Sequence, residues 1–173
     1  MPASPQPCGS RMIVALISDS HGQLPPAVFE RLEGVDLILH LGDLGPVGLL
    51  ADLAAIAPVQ AVAGNVDAPG HPELPARRRL TLAGLPLLLR HEPWDAGELA
   101  LSPVGLYLHG HIHQPRLERI GRAWVCCPGA VRNPRGGSPA SYGLMMVDER
   151  ALRIALHALE DGRMLARQAW PRG

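Results

Sequence analysis

Short apolar runs, each closed by a small knot of polar residues, recur through the first two-thirds of this chain. Met12 to Ser18 is nearly all apolar and predicts a strand buried on both faces. Pro25 and Pro26 then open a helix to about Glu33, because proline is tolerated in a first turn. Val35 to Leu41 predicts a second strand and Val59 to Ala63 a third, as short apolar runs bounded by glycine and polar residues. Between them, Val47 to Ile56 puts Leu49, Leu50, Leu53 and Ile56 on one side of a helix. That order is βαβαβ, which calls for parallel strands and right-handed crossovers.

The second half changes character. Arg77 to Leu82 and Leu85 to His91 read as strands joined by Ala83-Gly84, a hairpin signal. Asp95 to Leu101 predicts a short helix and Val104 to Leu108 another strand. Arg116 to Ile120 and Ala123 to Cys127 flank Gly121-Arg122, a second hairpin. Tyr142 to Val147, Leu152 to Leu159 and Met164 to Trp170 complete the chain, with turns at residues 148–150 and at Asp161-Gly162. No internal repeat or low-complexity linker interrupts the pattern. The expected fold class is α/β, two packed mixed sheets with helices outside. Residues 12–170 form the single domain, and residues 1–11 a frayed tail with no apolar core of the kind a signal peptide carries.

The polar knots carry the chemistry. They are Asp19-Ser20-His21-Gly22, Gly42-Asp43, Gly64-Asn65-Val66-Asp67, His91, and His109-Gly110-His111-Ile112-His113. Ligands of open α/β sheets bind beyond the carboxyl ends of the strands. Asp19, His21, Asp43, Asn65, His91, His111 and His113 are therefore expected to converge on one edge of one sheet. Oxygen and imidazole donors in that number suit two divalent ions better than one. Taken singly, each knot has a plainer reading. Asp19-x-His21 alone is a turn or helix cap. Asp43 alone caps the helix near Val47, and Asn65 alone takes a left-handed turn. The metal reading rests on all five together.

In that order, Asp-x-His, Gly-Asp, Gly-Asn-x-Asp, His and Gly-His-x-His resemble the signature of the calcineurin-like metallophosphoesterases, from about Ile13 to Val147. Pro128-Gly129-Ala130-Val131 and the segment to Ser141-Tyr142 are similar to the late Pro-Gly-Ser-Val stretch of the small bacterial and archaeal phosphodiesterase branch. The resemblance implies an α/β/β/α sandwich and a metal-dependent phosphoesterase, a phosphodiesterase first. It assigns Asp19, His21 and His113 to one ion and Asn65, His91 and His111 to the other, with Asp43 shared. Asn65 and His111 are also carried over as catalytic residues. Two dications roughly 3.5–4 Å apart can generate a bridging hydroxide near neutral pH for in-line attack on phosphorus. Mn²⁺ is the ion expected in vitro, with Fe, Zn, Ni or Mg as alternatives. Competing readings are a phosphomonoesterase or nucleotidase, and a non-catalytic interaction scaffold, the use made of this fold by a coat subunit of retromer.

Two positions depart from the family. Val66 stands where many relatives have a histidine thought to protonate the leaving group, although the small phosphodiesterase branch also lacks it. Glu92 follows His91 where relatives often have glycine, and would crowd the second ion or add a charged wall. Arg132 and Arg135 are the candidates for a substrate phosphate, since arginine forks match phosphate oxygens. Asp67 is read as an orienting or turn residue, not a ligand. His40 is read as a supporting group bonded in place, His109 as facing away from the ions, and His71 and His157 as uninvolved. Arg77-Arg78-Arg79 reads as a solvated edge strand before a phosphate-attracting rim. Trp94 is left as either a stacking surface for a base or a rim hydrophobe.

Composition narrows the partners. Hydrophobic residues make up 47% and charged residues 18% of 173, enough apolar content for one core. Acidic and basic residues balance at 16 each, which argues against an extended nucleic-acid interface or an anionic membrane surface. A small phosphoester, nucleotides included, remains compatible, because metal ions supply local positive charge. No apolar stretch is long enough to span a bilayer. Cys8, Cys126 and Cys127 form no spaced pair, which points to a reducing, cytoplasmic setting with no disulfide framework, and Cys126 and Cys127 read as packed strand residues. Self-association stays open.

Overall fold

The computed structural model describes residues 11–101 and 105–171. Residues 1–10 of the tail expected at residues 1–11, with Cys8, and the start of the strand expected from Val104 lie outside them. Strands β1 (Met12–Ile17), β2 (Leu37–His40) and β3 (Val59–Ala61) are parallel neighbours, joined through helices α1 (Pro26–Arg31) and α2 (Gly48–Ala54). β9 (Ser141–Val147), β10 (Ala151–Ala158) and β11 (Met164–Pro171) add an antiparallel wing, giving the order β11-β10-β9-β1-β2-β3. The second sheet contains β4 (Arg77–Leu82), β5 (Leu85–Arg90), β6 (Leu106–Leu108), β7 (Pro115–Ile120) and β8 (Ala123–Pro128), ordered β4-β5-β6-β8-β7. Both sheets are mixed. Helix α3 (Ala96–Leu101) connects β5 to β6.

Strand alternation sorts the core into layers. Val14 and Leu16 point between the sheets with Leu39, Leu87, Leu89, Leu106, Leu108 and Cys126. Ala15 and Ile17 point the other way, against Val28 and Leu32 of α1 and Leu49 and Leu53 of α2. Tyr107, between the inward Leu106 and Leu108, faces outward to Trp94 and Leu99 under α3. A strand with both faces covered has no polar face, which is why β1 and β6 read as unbroken apolar runs. The Ala83-Gly84 turn has φ of +48° and +81°, both left-handed, as a two-residue hairpin with matching twist requires. Helices and sheets thus stack as the expected α/β/β/α sandwich.

Several smaller expectations are corrected or sharpened. The ligand loops do not gather on one edge of one sheet. β1, β2 and β3 end in the first sheet, β5 and β6 in the second, and the loops meet where the two sheets face each other. Trp94 is 8% exposed, packs edge-on to Tyr107 and lies under the Arg90 guanidinium, so it offers no stacking surface. The arginine strand β4 is an edge strand, as read. Arg78 nevertheless leaves solvent in part, donating to the Ala61 carbonyl at 3.1 Å and tying the second sheet to β3. Cys126 and Cys127 are buried free thiols whose pKa values burial raises.

Candidate metal centre

Asp19 is fully buried and its two oxygens are in different states. Oδ2 accepts from Ser18 Oγ at 2.6 Å and from the His111 amide at 3.2 Å. Oδ1 is buried and accepts no hydrogen bond. It faces His113 Nε2 at 3.0 Å, His21 Nε2 at 3.8 Å and His91 Nε2 at 4.0 Å. Donor atoms of Asp19, His21, Asp43 and His113 all lie within 4.8 Å of one another. Asp43 turns one oxygen to each side: Oδ2 lies 3.7 Å from His21 Nε2, and Oδ1 lies 3.3 Å from His91 Nε2. On that second side His91 Nε2 and His111 Nδ1 each approach Asn65 Oδ1, at 3.1 and 3.2 Å. All seven residues expected as ligands therefore converge. The sequence does not foretell that His111 turns Nδ1 inward where its neighbours turn Nε2.

The donor set fits metal ions on grounds visible in the structure. His91 Nδ1 is 2.7 Å from the Leu41 carbonyl and His113 Nδ1 is 2.7 Å from the Asn133 carbonyl. A carbonyl only accepts, so each Nδ1 carries the proton and each neutral ring keeps its lone pair on Nε2. Those lone pairs point at carboxylate and amide oxygens. His21 Nε2 and His113 Nε2 also face each other at 3.2 Å. Lone pairs crowded around common points, with few protons between them, are what a cation resolves, and a ligating histidine ordinarily anchors its other nitrogen in this way. In metal-free protein a proton does part of that work. Burial pulls the His91 pKa down, but the Asp43 hydrogen bond, the Leu41 carbonyl and the Asp19 and Asp43 charges outweigh it and raise it. Burial raises the Asp43 carboxyl, yet the His91 and Val66 hydrogen bonds and the His91 and His21 charges hold it at about 2.

The loops are held together by backbone and buried polar groups. Asp19 N donates to Gly42 O at 3.0 Å, His21 N to Asp43 O at 2.9 Å, and Gly110 N to His91 O at 3.0 Å. Asp67 is the orienting residue expected: its carboxylate accepts from Leu44 N, Gly45 N and Gly64 N, joining the loop of Asp43 to that of Asn65. Asp43 does not cap α2, whose N-cap makes no side-chain bond. It accepts from Val66 N at 3.1 Å instead. Asn65 is not among the left-handed residues, so the plain turn reading fails for it. Gly110 is required by crowding: a Cβ there would fall on Ser18 Oγ and within 2.9 Å of Asp19 Oδ2.

His40 is a support, as read. Gly42 N donates to its Nδ1 at 3.3 Å, leaving Nε2–H for Ser20 Oγ at 3.0 Å, and Ser20 Oγ donates on to Leu44 O at 3.1 Å. Burial lowers its pKa to about 4. His109 turns away and donates to the Gly110 carbonyl, with a pKa again lowered by burial to about 4. His71 accepts from Glu73 N, and His157 stacks on Tyr142, both away from the cluster. Arg132 Nη1 donates to the His21 carbonyl at 3.2 Å, and the Arg135 amide donates to the His113 carbonyl at 3.1 Å, so both arginines stand beside the cluster. The Glu92 side chain is exposed. Sequence reading missed Ser18, Ser20 and Arg90. Arg90 donates to both Glu98 oxygens and to the Glu92 carbonyl, fixing the stretch after His91. The Leu41 and Asn133 carbonyls leave no trace in a sequence, because any residue supplies one.

Residues 12–150 match the calcineurin-like phosphoesterase superfamily domain. A probable metallophosphoesterase of Methanothermobacter thermautotrophicus is 32% identical over 152 residues, covering 80% of this chain and 88% of that protein. Phosphodiesterase YfcE of Escherichia coli K12 is 31% identical over 184 residues, covering 91% of this chain and 98% of YfcE. Among solved structures, Vacuolar Protein Sorting 29 of Cryptosporidium parvum superposes with a TM-score of 0.78 at 21% identity, covering 94% and 99% of the two chains, a likeness of fold. With the matched domain covering most of the chain and spanning the ligand loops, the chain belongs to the calcineurin-like phosphoesterase superfamily.

Proposed function

We propose that this protein is a phosphodiesterase that holds two divalent ions, Mn²⁺ foremost, and hydrolyses a small phosphate diester. The observation that carries the reading is Asp43. Its two oxygens face two separate histidine groups, as a shared carboxylate between two ions would. Bound there, the ions supply Lewis acidity and a nucleophile at neutral pH. The chain's own residues do the rest. Asp19 is locked by Ser18 and the His111 amide, so its buried Oδ1 stays aimed at the cluster. Asn65 is exposed at the rim, where its amide can donate to a phosphoryl oxygen, and His111 stands beside it, half-buried. Arg132 and Arg135 offer charged donors to the phosphate from the other side. No side chain is needed as a nucleophile. Val66 is 51% exposed and carries no proton to the leaving group.

Among the described residues no helix is long and apolar enough to cross a membrane. With free, buried thiols at Cys126 and Cys127, we place the protein in the cytoplasm. The test is metal content with activity on bis(p-nitrophenyl) phosphate. Native protein should hold up to two ions, lose activity to a chelator and regain it with Mn²⁺, its fold intact. Asp43→Ala should lose both. Two tightly held ions and full activity in Asp43→Ala would overturn the assignment. Metal-loaded native protein inert toward a broad panel of monoesters and diesters would favour the scaffold alternative. Monoesters cleaved far faster than diesters would favour a monoesterase.

A further inference from the structure

A groove of about 680 Å³ opens beside the ligand cluster, between the approach to α1 and the approach to α2. Pro25, Pro26 and Phe29 line one side, and Pro46 and Asp52 line the other. Its inner end meets the metal centre. Gly22, part of the lining, directly follows His21, and Arg132, also part of it, donates to the His21 carbonyl at 3.2 Å. The volume lies within the roughly 300–1,000 Å³ of small-ligand sites.

The fold itself has no use for this surface. α1 buries Val28 in the core, while Phe29 is left 42% exposed. A single exposed hydrophobe is ordinary. Here it is the only phenylalanine of a chain whose aromatic content is 3%, and it faces a concavity walled by prolines. Proline rings lose almost no side-chain freedom when covered, so the walls are preformed. Arg132 is anchored through Nη1, which leaves Nε and Nη2 to meet a phosphate oxygen at the inner end. At the outer side Asp52 offers only acceptors, which favour N–H donors and repel a second phosphate.

We propose that this groove binds the ester substituent of the substrate, and that the substituent is a planar, uncharged heterocycle bearing N–H donors, of nucleobase type. The base stacks on Phe29, its amino edge faces Asp52, and its phosphate lies between Arg132 and the metal centre. This specificity role rests on the phosphoesterase reading. Base–aromatic stacking is worth about tenfold or more in affinity.

Two diesters with a common leaving group make the test: methyl p-nitrophenyl phosphate and the p-nitrophenyl ester of adenosine 5′-phosphate. Native Mn²⁺-loaded protein should prefer the adenosine ester in kcat/KM by about tenfold, mostly through KM. Phe29→Ala should erase that ratio, Phe29→Trp should keep it, and Asp52→Asn should reduce it. A ratio near one in native protein, or one that Phe29→Ala leaves intact, overturns the groove assignment while the phosphoesterase reading stands. Calorimetric titration with adenosine 5′-monophosphate gives a readout without turnover, expected to weaken about tenfold in Phe29→Ala. If neither ester is cleaved but that binding depends on Phe29, the groove stands and the phosphoesterase reading falls. If neither ester is cleaved and the binding ignores Phe29, both fall.

Discussion

Replacing Asp67 should damage the metal centre without touching a ligand. The carboxylate is 8% exposed and accepts three backbone amides: Leu44 at 3.2 Å, Gly45 at 2.8 Å and Gly64 at 2.7 Å. A hydrogen bond to a charged group contributes about 1.5–3 kcal/mol net, and the bonds are not additive where water can reach the orphaned amides. Asp67→Ala should therefore lower stability by about 3–5 kcal/mol, a fall in Tm on the order of 10 °C for a chain of this size. Asp67→Asn keeps the shape. Its carbonyl can take the place of Oδ2, which accepts from Leu44 and Gly64, so the Gly45 bond alone is lost, at about 2 kcal/mol. Both variants loosen the join between the loops of Asp43 and Asn65, and orienting groups of this kind change metal affinity about 10–100-fold. Thermal unfolding in chelator reads the stability, and calorimetric titration with Mn²⁺ reads the affinity. Asp67→Ala within about 0.5 kcal/mol of native would refute the reasoning. So would Asp67→Asn as damaging as Asp67→Ala, since the cost would then follow charge and not the count of bonds.

Three further outcomes follow from the same geometry. Gly110→Ala should cost about 1–3 kcal/mol and weaken Mn²⁺ binding, because its Cβ would press on Ser18 Oγ and Asp19 Oδ2; unchanged binding by titration would contradict the crowding. Burial holds His40 and His109 near pKa 4, so between pH 6.5 and 4 the unfolded chain binds protons that the folded chain does not, and metal-free protein should lose roughly 1.4 kcal/mol per pH unit for each as pH falls. His91, raised instead, acts above pH 6.5, so a Tm flat across the lower window would count against two buried neutral rings. With Val66 in place of a proton donor, aryl diesters should be cleaved far faster than alkyl ones, and Val66→His should narrow the gap; equal native rates, with chemistry limiting, would refute this.

The elements were legible because burial on both faces removes polar residues from a strand. Met12–Ile17, Leu85–Arg90 and Leu106–Leu108 show as apolar runs for that reason, whereas Arg77–Leu82 keeps polar residues because one of its faces is exposed. What the runs conceal is partnership. The Ala83-Gly84 turn displays the pairing of Leu85–Arg90 with β4, but nothing local says that its other edge meets β6 and not β3, so the ligands look like one edge of one sheet. Placing them at the meeting of two sheets needs long-range pairing, which no window of residues encodes. The open choice at Trp94 has a related cause. It follows His91 closely in sequence, but Arg90 and Tyr107 draw the ring into the layer under α3.

The ligand side chains were legible and their backbone was not. Asp19, His21, Asp43, His111 and His113 have φ of +57°, +45°, +54°, +70° and +56°, in the left-handed region that residues with a Cβ avoid. Asp and His enter that region more readily than most residues with a Cβ, yet five of them at one site still concentrate backbone strain there. Only a surrounding structure that over-determines the loops can sustain it. The amides of Asp19, His21 and Gly110 bonded across loops, the Asp67 staple and the His40–Ser20–Leu44 chain are that structure. Their purpose is plain from the direction of the side chains. A left-handed residue at a strand end turns its side chain back over the end of the sheet, and here this brings Asp19, Asp43, His21 and His113 within reach of one point. The glycine beside them, Gly42 with φ of +95°, is the part of this device that a sequence can display. The strained aspartates and histidines carry the same conformation with side chains that a glycine could not supply.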